Sequence, residues 1–144
     1  MQFNEKNIEL YKTLIEEEIS EWKEAYDNFM NDRSQENYRN LLKEMADAIV
    51  VFTGQFHALG VSATSVLNEV NLSNFSKFPI IDNSEEFEKE EKRVCEKYNL
   101  GEDELISQHT YEGRAIFHRV DGKVLKPSTY QEADLSKFNY HEVD

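Results

Sequence analysis

Apolar residues recur every three or four positions along three stretches of the chain, which is the spacing of an amphipathic helix. The stretches cover about residues 5–30, 36–59 and 62–79. Ser34 is a candidate N-cap for the second helix, and Gly60 is placed to end it, because glycine readily adopts the left-handed conformation that follows many helices. The pattern therefore predicts three consecutive helices in the first half of the chain.

Each of the first two helices carries one continuous apolar row, and we expect both rows to lie in the core. The rows consist of Ile8, Tyr11, Ile15, Ile19, Trp22, Tyr26 and Phe29 in the first helix and of Leu41, Leu42, Met45, Ile49, Phe52 and Phe56 in the second. Two such helices packed together predict a helical bundle.

The rest of the chain differs in character. Residues 83–98 are highly charged and predict an exposed helix that is capped by Ser84. The dipeptide Asp121-Gly122 separates two short apolar runs and favours the tight turn of a β-hairpin. The segment after Pro127 is polar and predicts irregular structure.

A length of 144 residues suffices for one hydrophobic core and is short for two, so we predict a single domain over residues 1–144. The predicted fold class is all-α, with a four-helix-bundle-type core over about residues 5–79. A charged helix and an irregular C-terminal segment that contains a short hairpin follow over about residues 83–144.

The composition narrows the partners and the compartment. The 29 acidic and 16 basic residues give a net charge of −13, which repels nucleic acid and anionic lipid, so we expect neither direct nucleic-acid binding nor membrane binding. The single cysteine, Cys95, excludes a disulfide within the chain and suits a reducing compartment. No signal peptide and no apolar run of roughly 20 residues is visible, so we expect a soluble cytoplasmic protein.

Four carboxylates interrupt the apolar rows or lie beside them. Glu18 falls on the row of the first helix and Glu21 follows three residues later, and Glu44 and Asp47 repeat this spacing in the second helix. Two helices packed side by side would bring the four carboxylates together, and like charges so close disfavour each other's ionised forms. A cation that prefers oxygen ligands, Mg²⁺ or Mn²⁺, is therefore expected, and it would let an acidic pocket accept phosphates.

The same carboxylates are also compatible with structural roles that need no metal. Helical glutamates usually face solvent, and a spacing of three arises often by chance in so acidic a chain. Asp47 lies in an otherwise apolar stretch, where solvent exposure fits poorly, so the alternative for this residue is a basic partner or a bond to the backbone.

The order of motifs resembles the signature of the all-alpha nucleoside triphosphate pyrophosphohydrolases, a superfamily that includes MazG, the dimeric dUTPases and phosphoribosyl-ATP pyrophosphohydrolase. An EExxE motif is followed after 22 residues by ExxD, the third helix resembles EVxxSNxSK, and the C-terminal segment resembles DGKxxKxxxYxxxDL. The matching residues are Glu17, Glu18, Glu21, Glu44 and Asp47, then Glu69, Asn71, Asn74 and Lys77, then Asp121, Lys123, Lys126, Tyr130 and Asp134. The similarity is greatest to small single-domain members, including many carried by phages, for which the compartment would be the host cytoplasm.

The resemblance implies an enzyme that hydrolyses a (d)NTP or related nucleotide between its α and β phosphates, releasing a monophosphate and pyrophosphate. It implies that Glu18, Glu21, Glu44 and Asp47 hold Mg²⁺ (or Mn²⁺), and that Glu17, beside Glu18, orients or deprotonates the attacking water. It further implies that the nucleotide is bound by Asn71, Asn74, Lys77, Lys123, Lys126 and Tyr130. These lysines are equally compatible with a solvated surface, and the two asparagines with helix caps. A homodimer or homotetramer is also expected, because a small two-helix site leaves many apolar residues to cover.

Two hypotheses compete with the enzyme. A non-enzymatic acidic helical protein could mimic nucleic acid and bind a basic partner, and the charged run at 83–98 fits this hypothesis. A protein of the same fold could also bind a nucleotide without turnover, as a sensor. The base, the sugar and the number of phosphates stay open.

Overall fold

Four helices and one two-stranded antiparallel sheet follow one another along residues 3–101 and 103–141, the part of the chain that the computed structural model describes. The elements are α1 (Glu5–Asn31), α2 (Gln35–Ala58), α3 (Ala63–Phe75), α4 (Ser84–Tyr98), β1 (Leu105–His109) and β2 (Ala115–Arg119). Of the described residues 57% are helical, and the two-stranded sheet lies in the C-terminal part, which confirms the predicted fold class. The predicted domain also includes residues 1–2, 102 and 142–144, which lie outside the described residues.

Contacts between Cα atoms divide the chain into two units, one of Met1–Val66 with Ser136–Asp144 and one of Leu67–Leu135. The single domain therefore stays a prediction. In the described residues no single helix is long and apolar enough to cross a membrane, although α2 and α3 taken as one bent pair pass that test by length and composition alone.

The first unit is built on an antiparallel pair of long helices, α1 and α2. The backbone N–H of Asn4, just before α1, donates to the carbonyl of Ala58 at the end of α2 over 2.8 Å, so the beginning of one helix meets the end of the other. The side chain of Ser34 accepts the backbone N–H of Asn37, which confirms this predicted N-cap, and Gly60 follows α2 with a φ of 84°.

The apolar row that we predicted as the buried face of α2 is largely exposed in this unit, so that prediction is wrong for Leu42, Met45, Ile49 and Phe52. The face of α2 with lower exposure consists of Leu41, Glu44, Ala48, Val51, Gln55 and Ala58. The reason is that α2 is apolar on two sides and α1 packs on only one of them.

The second unit has its own small core, formed where α4 packs against β2. Val94, Ala115, Phe117 and Leu125 are almost fully buried there. The buried carboxylate of Glu90 accepts hydrogen bonds from the backbone N–H and hydroxyl of Ser128 and from the Arg93 guanidinium. Desolvation alone would raise the pKa of Glu90, but these hydrogen bonds outweigh it and leave the pKa below its usual value. Glu90 therefore fixes the segment after Pro127 to α4.

The N-cap of α4 differs from the prediction by one residue. Ser84 is the first residue of the helix, and the cap is Asn83, whose side-chain oxygen accepts the backbone N–H groups of Glu85 and Glu86 at 2.8 and 3.2 Å. Asparagine and serine are both favoured at this position, so composition alone does not decide between neighbours.

The predicted hairpin turn at Asp121-Gly122 is present, but the main strand partner of β2 was not predicted. Asp121-Gly122 does form a tight turn, since the N–H of Gly122 donates to the carbonyl of Arg119 and an isolated bridge pairs His118 with Val124. The longer pairing, however, joins β2 to β1 upstream, with Ser107 opposite Phe117. We did not predict β1.

Candidate metal centre

Three carboxylates from α1 and α2 meet in the first unit. One side-chain oxygen each of Glu18, Glu44 and Asp47 lies within 4.8 Å of the others. Glu44 and Asp47 are one turn apart on α2, and Glu18 faces them from α1, as the spacing along the two helices predicted.

The arrangement leaves buried oxygen atoms without a hydrogen-bond partner. Glu44 is only 8% exposed. Its Oε2 atom and the Oε2 atom of Glu18 are buried and accept no hydrogen bond from the described residues. Because a buried, unpaired carboxylate oxygen is costly, these two atoms indicate a place for a cation.

The electrostatics of Glu18 agree with a site that is crowded with negative charge. Desolvation raises the pKa of Glu18 above its ordinary value of 4.5, and the charges of Glu21, Asp47 and Glu44 raise it further. A cation bound between these carboxylates would oppose this shift by favouring their ionised forms.

Lys43 forms ion pairs with two carboxylates of this cluster. Among the described residues, no other basic side chain forms an ion pair with the cluster. The Nζ atom of Lys43 lies 2.8 Å from Oδ2 of Asp47 and 3.0 Å from Oε1 of Glu44. Hydrogen bonds to Asp47 and then to Glu44 raise the pKa of Lys43, so the ammonium stays charged at neutral pH. Lys43 was not among the predicted site residues, although its i,i+4 spacing to Asp47 is a usable signal.

Asp47 is therefore placed differently from what its apolar neighbours suggested. Its side chain is 41% exposed and has a basic partner, which is the alternative that the sequence left open. Its neighbours Ile49 and Val50 are themselves exposed, and Glu44 is the deeply buried carboxylate of the pair.

The two other acidic residues of the first motif lie at the edge of the cluster. Glu21 is exposed, and its negative charge helps to raise the pKa of Glu18. Glu17 is exposed and is not among the three carboxylates that converge. Both lie within one turn of Glu18 on α1.

The donor set can be tested for its fit to a metal ion. Every converging atom is a carboxylate oxygen, and two of the residues carry buried oxygens with no other partner among the described residues. Hard divalent ions such as Mg²⁺ and Mn²⁺ bind such oxygens, whereas softer ions favour nitrogen or sulfur. Glu18, Glu44 and Asp47 thus fit a hard divalent cation.

In the second unit, the structure joins the two segments that carry the remaining predicted site residues. The hydroxyl of Ser73 donates to the carbonyl of Gln131 over 2.8 Å, and the N–H of Gln131 donates to the hydroxyl of Ser76 over 2.9 Å. The hydroxyl of Thr129 also donates to the carbonyl of Ser76. The end of α3 and the segment around residue 130, far apart in the sequence, therefore form one surface.

The predicted nucleotide-binding side chains are distributed over this surface and the neighbouring turn. Nζ of Lys77 donates to Oδ1 of Asn74 over 3.1 Å, and the ammonium of Lys126 lies 4.5 Å from the centre of the Tyr130 ring. Asn71, Asn74, Lys123 and Lys126 are exposed.

Asp121, which is part of the C-terminal motif, has a local partner. Two hydrogen bonds from the Arg119 guanidinium, followed by one from the Lys123 backbone N–H, lower the pKa of Asp121. These contacts stabilise the turn at Gly122.

The helical pair with its inward-facing carboxylates defines the class: an all-α protein with a buried acidic centre suited to a cation. Comparison with known families is consistent with this class, since the family model of phosphoribosyl-ATP pyrophosphohydrolase matches residues 2–74, half of the chain. The chain belongs to this family, in the all-alpha NTP pyrophosphohydrolase superfamily. A comparison with curated proteins gives no match.

Membership confirms the resemblance and the enzyme class. The family is one of pyrophosphohydrolases, which are hydrolases acting on phosphoric anhydrides, and it is typically metal-dependent. The matched region contains all five acidic residues of the two motifs and also Asn71 and Asn74. Lys77 and the C-terminal residues lie beyond it, and the roles of all these residues, inside the matched region or beyond it, stay predictions.

Proposed function

We propose that this protein is a Mg²⁺- or Mn²⁺-dependent nucleotide pyrophosphohydrolase, which hydrolyses a (d)NTP or related nucleotide between the α and β phosphates. The observation that carries the proposal is the meeting of Glu18, Glu44 and Asp47 around two buried carboxylate oxygens that have no hydrogen-bond partner among the described residues. Family membership supports the same class of reaction.

Glu18, Glu44 and Asp47 would hold the cation, and Glu21 would complete the set from the exposed side. When bound, the ion would supply positive charge that neutralises the phosphates and polarises a phosphoryl oxygen. Glu44 is fixed by burial and Glu18 by the packing of α1 on α2, so both are oriented before the nucleotide arrives. Such preorganisation is the main requirement of phosphoryl transfer.

Glu17 would act on the attacking water. It precedes Glu18 on α1, and its carboxylate is exposed and does not belong to the converging cluster, so it is available as a proton acceptor. A water held near Glu17 would lose its proton as its oxygen bonds to the α phosphorus. Pyrophosphate would leave from the opposite side.

The nucleotide would be recognised by side chains of the third-helix motif and the C-terminal motif. Lys77 and Lys126 offer exposed or half-buried ammonium groups for the phosphates, and Lys123 a third. Tyr130, Asn71 and Asn74 offer a ring and amides for the base or sugar. The bonds between Ser73, Ser76 and the segment around residue 130 support a common role for these side chains.

The proposal includes self-association and a cytoplasmic location. The exposed apolar row of α2 supports a homodimer or homotetramer, because large apolar patches on a soluble protein usually mark an interface. The location stays a prediction from the composition.

The test is pyrophosphate release from a panel of nucleoside triphosphates, including damaged and dUTP-like members, with Mg²⁺ or Mn²⁺. We expect at least one substrate to yield its monophosphate and pyrophosphate. Glu44→Gln should reduce the rate by about a hundredfold or more, since a removed metal ligand costs at least as much as a lost neighbour of a ligand. Glu24→Gln, an exposed residue of α1 with the same change of charge, should leave the rate within about twofold.

Three outcomes would contradict parts of this account. Release that survives Glu44→Gln would overturn the site. Tight nucleotide binding without any product would favour a sensor. Salt-sensitive binding to a basic protein, without affinity for divalent ions, would favour the acidic mimic.

A further inference from the structure

Lys43 lies at the acidic cluster and has no place in the proposed reaction. It comes directly before Glu44 and one turn before Asp47, and its ammonium contacts one oxygen of each. The contacts leave Oε2 of Glu44 and Oε2 of Glu18 without a partner among the described residues. One ammonium therefore satisfies only part of the cluster.

The Lys43 ammonium occupies carboxylate oxygens that a divalent ion would also bind. A Mg²⁺ ion bound to Glu44 and Asp47 would lie about 2.0–2.1 Å from their oxygens, so it would compete for the space between the two carboxylates that the ammonium now bridges. Two cations so close would repel each other strongly in a partly buried site. One of them has to leave.

Lys43 is the group that can leave. Its side chain is 63% exposed, so it can turn into solvent without disturbing the packing of α1 on α2. The ion pair with Asp47, in which both side chains are partly exposed, contributes little, whereas the buried oxygen of Glu44 gains a partner when a divalent ion binds.

We propose that Lys43 is a displaceable counter-ion, which competes with the divalent cation for Glu44 and Asp47 and so weakens the affinity of the site for metal. This inference rests on the proposed function, since it takes the acidic cluster to be the metal site. In the absence of metal, Lys43 limits the repulsion between the carboxylates. When the ion binds, the ammonium is released at the entrance of the site.

The test is calorimetric titration of the full chain with Mg²⁺ and with Mn²⁺. Lys43→Met keeps the aliphatic stem and removes the charge, so we expect binding about two- to thirtyfold tighter, the range set by the loss of the two ion pairs of this exposed lysine. Lys43→Arg keeps a competing cation and should bind the ion like the unaltered chain. Lys23→Met, an exposed change on α1 with the same effect on net charge, should also bind like the unaltered chain.

A Lys43→Met protein that binds the ion with unchanged or weaker affinity would overturn the inference, and so would an equal gain in Lys23→Met. Lysine side-chain NMR of the unaltered chain gives a second measurement that requires no substitution. We expect the Lys43 ammonium signal to shift and exchange faster with water as Mg²⁺ is added, and an unperturbed signal at saturation would contradict competition.

The same titrations separate this inference from the proposed function. If the unaltered chain and all variants fail to bind either ion, both are wrong. If they all bind with equal affinity, the metal site stands and only the role of Lys43 is wrong. If Lys43→Met alone binds, competition is correct, but the native chain is not a metal enzyme under those conditions.

Discussion

At the scale of single residues, the decisive feature is the unequal placement of the carboxylates. Glu44 is buried with one unpaired oxygen, Glu18 has a raised pKa, and Asp47 is half-exposed against Lys43. Each carboxylate alone could have an ordinary structural role. Their convergence within 4.8 Å is harder to reconcile with such roles. Three carboxylates meet there, and the described ion pairs bring only the single positive charge of Lys43 to them.

The raised pKa of Glu18 predicts a pH dependence of the metal-free protein. Because the folded state raises this pKa above 4.5, it binds more protons than the unfolded state in the window just above that value. The contribution of Glu18 to the free energy of unfolding therefore falls as the pH rises through this window. At neutral pH the ionised Glu18 destabilises the folded state by the full amount of this fall. Glu18→Gln removes this destabilisation.

The measurement is thermal unfolding in the presence of a chelator between pH 4 and pH 7.5. The melting temperature of Glu18→Gln relative to the unaltered chain should rise with pH, while the matched difference for Glu24→Gln should stay nearly flat. A Glu18→Gln difference that decreases with pH would show that the pKa of Glu18 is lowered instead.

At the scale of helices and strands, Gly54 of α2 packs directly against the Tyr11 ring of α1. A methyl group on this glycine would overlap the ring of Tyr11 across the helix interface. In an exposed helix, Gly→Ala would stabilise by about 1 kcal/mol through helix propensity. Here the overlap should dominate.

We therefore expect Gly54→Ala to lower the free energy of unfolding by about 1–3 kcal/mol, the usual cost of overpacking. Chemical denaturation measures this, with Gly101→Ala as the control, because a methyl group there would meet only Oε1 of Glu104 at 3.4 Å. A more stable Gly54→Ala protein would show that the helices are farther apart than described.

The helices could be predicted from the sequence because their signal is local. Apolar periodicity and the cap at Ser34 define α1 and α2 to within two residues. By contrast, β1 is a short strand, LISQH, whose stability comes from pairing with β2 across a loop, and five residues without clear alternation do not indicate a strand. The exposed row of α2 was missed for a related reason, because hydrophobicity does not tell which of two apolar faces meets the neighbouring helix.

The candidate site also has a part that the sequence predicts and a part that it does not. The spacing of Glu18, Glu44 and Asp47 along two facing helices was sufficient to predict that they meet. The burial of Glu44 rather than Asp47, and the ion pairs of Lys43, depend on the rotation of α2 against α1, which no local pattern encodes.

At the scale of the whole molecule, the exposed row of α2 predicts self-association. Ile49 is 67% exposed at the centre of this row, and a charge there would be buried without a partner in any interface that covers it. Ile49→Glu should therefore shift the protein from dimer or tetramer towards monomer, by light scattering coupled to size exclusion.

Val120→Glu is the control, since Val120 is similarly exposed but belongs to the second unit. It should leave the mass unchanged. An unaltered chain that stays monomeric at micromolar concentration, or an Ile49→Glu protein with the unaltered mass, would contradict an interface on this face.

The net charge of −13 has a direct consequence at this scale. A strongly acidic protein repels nucleotides unless cations neutralise part of its surface, so activity on a phosphorylated substrate should depend on the divalent ion for binding as well as for chemistry. The central claim is therefore that the cluster of α1 and α2 binds that ion.

Electron paramagnetic resonance of Mn²⁺ tests this claim most directly, because it counts free and bound ions without reference to any substrate. We predict that the unaltered chain binds Mn²⁺, that Glu44→Gln weakens binding by at least about tenfold while the helical circular dichroism is retained, and that Glu24→Gln binds as the unaltered chain does. A Glu44→Gln protein that binds Mn²⁺ with undiminished affinity would contradict the account.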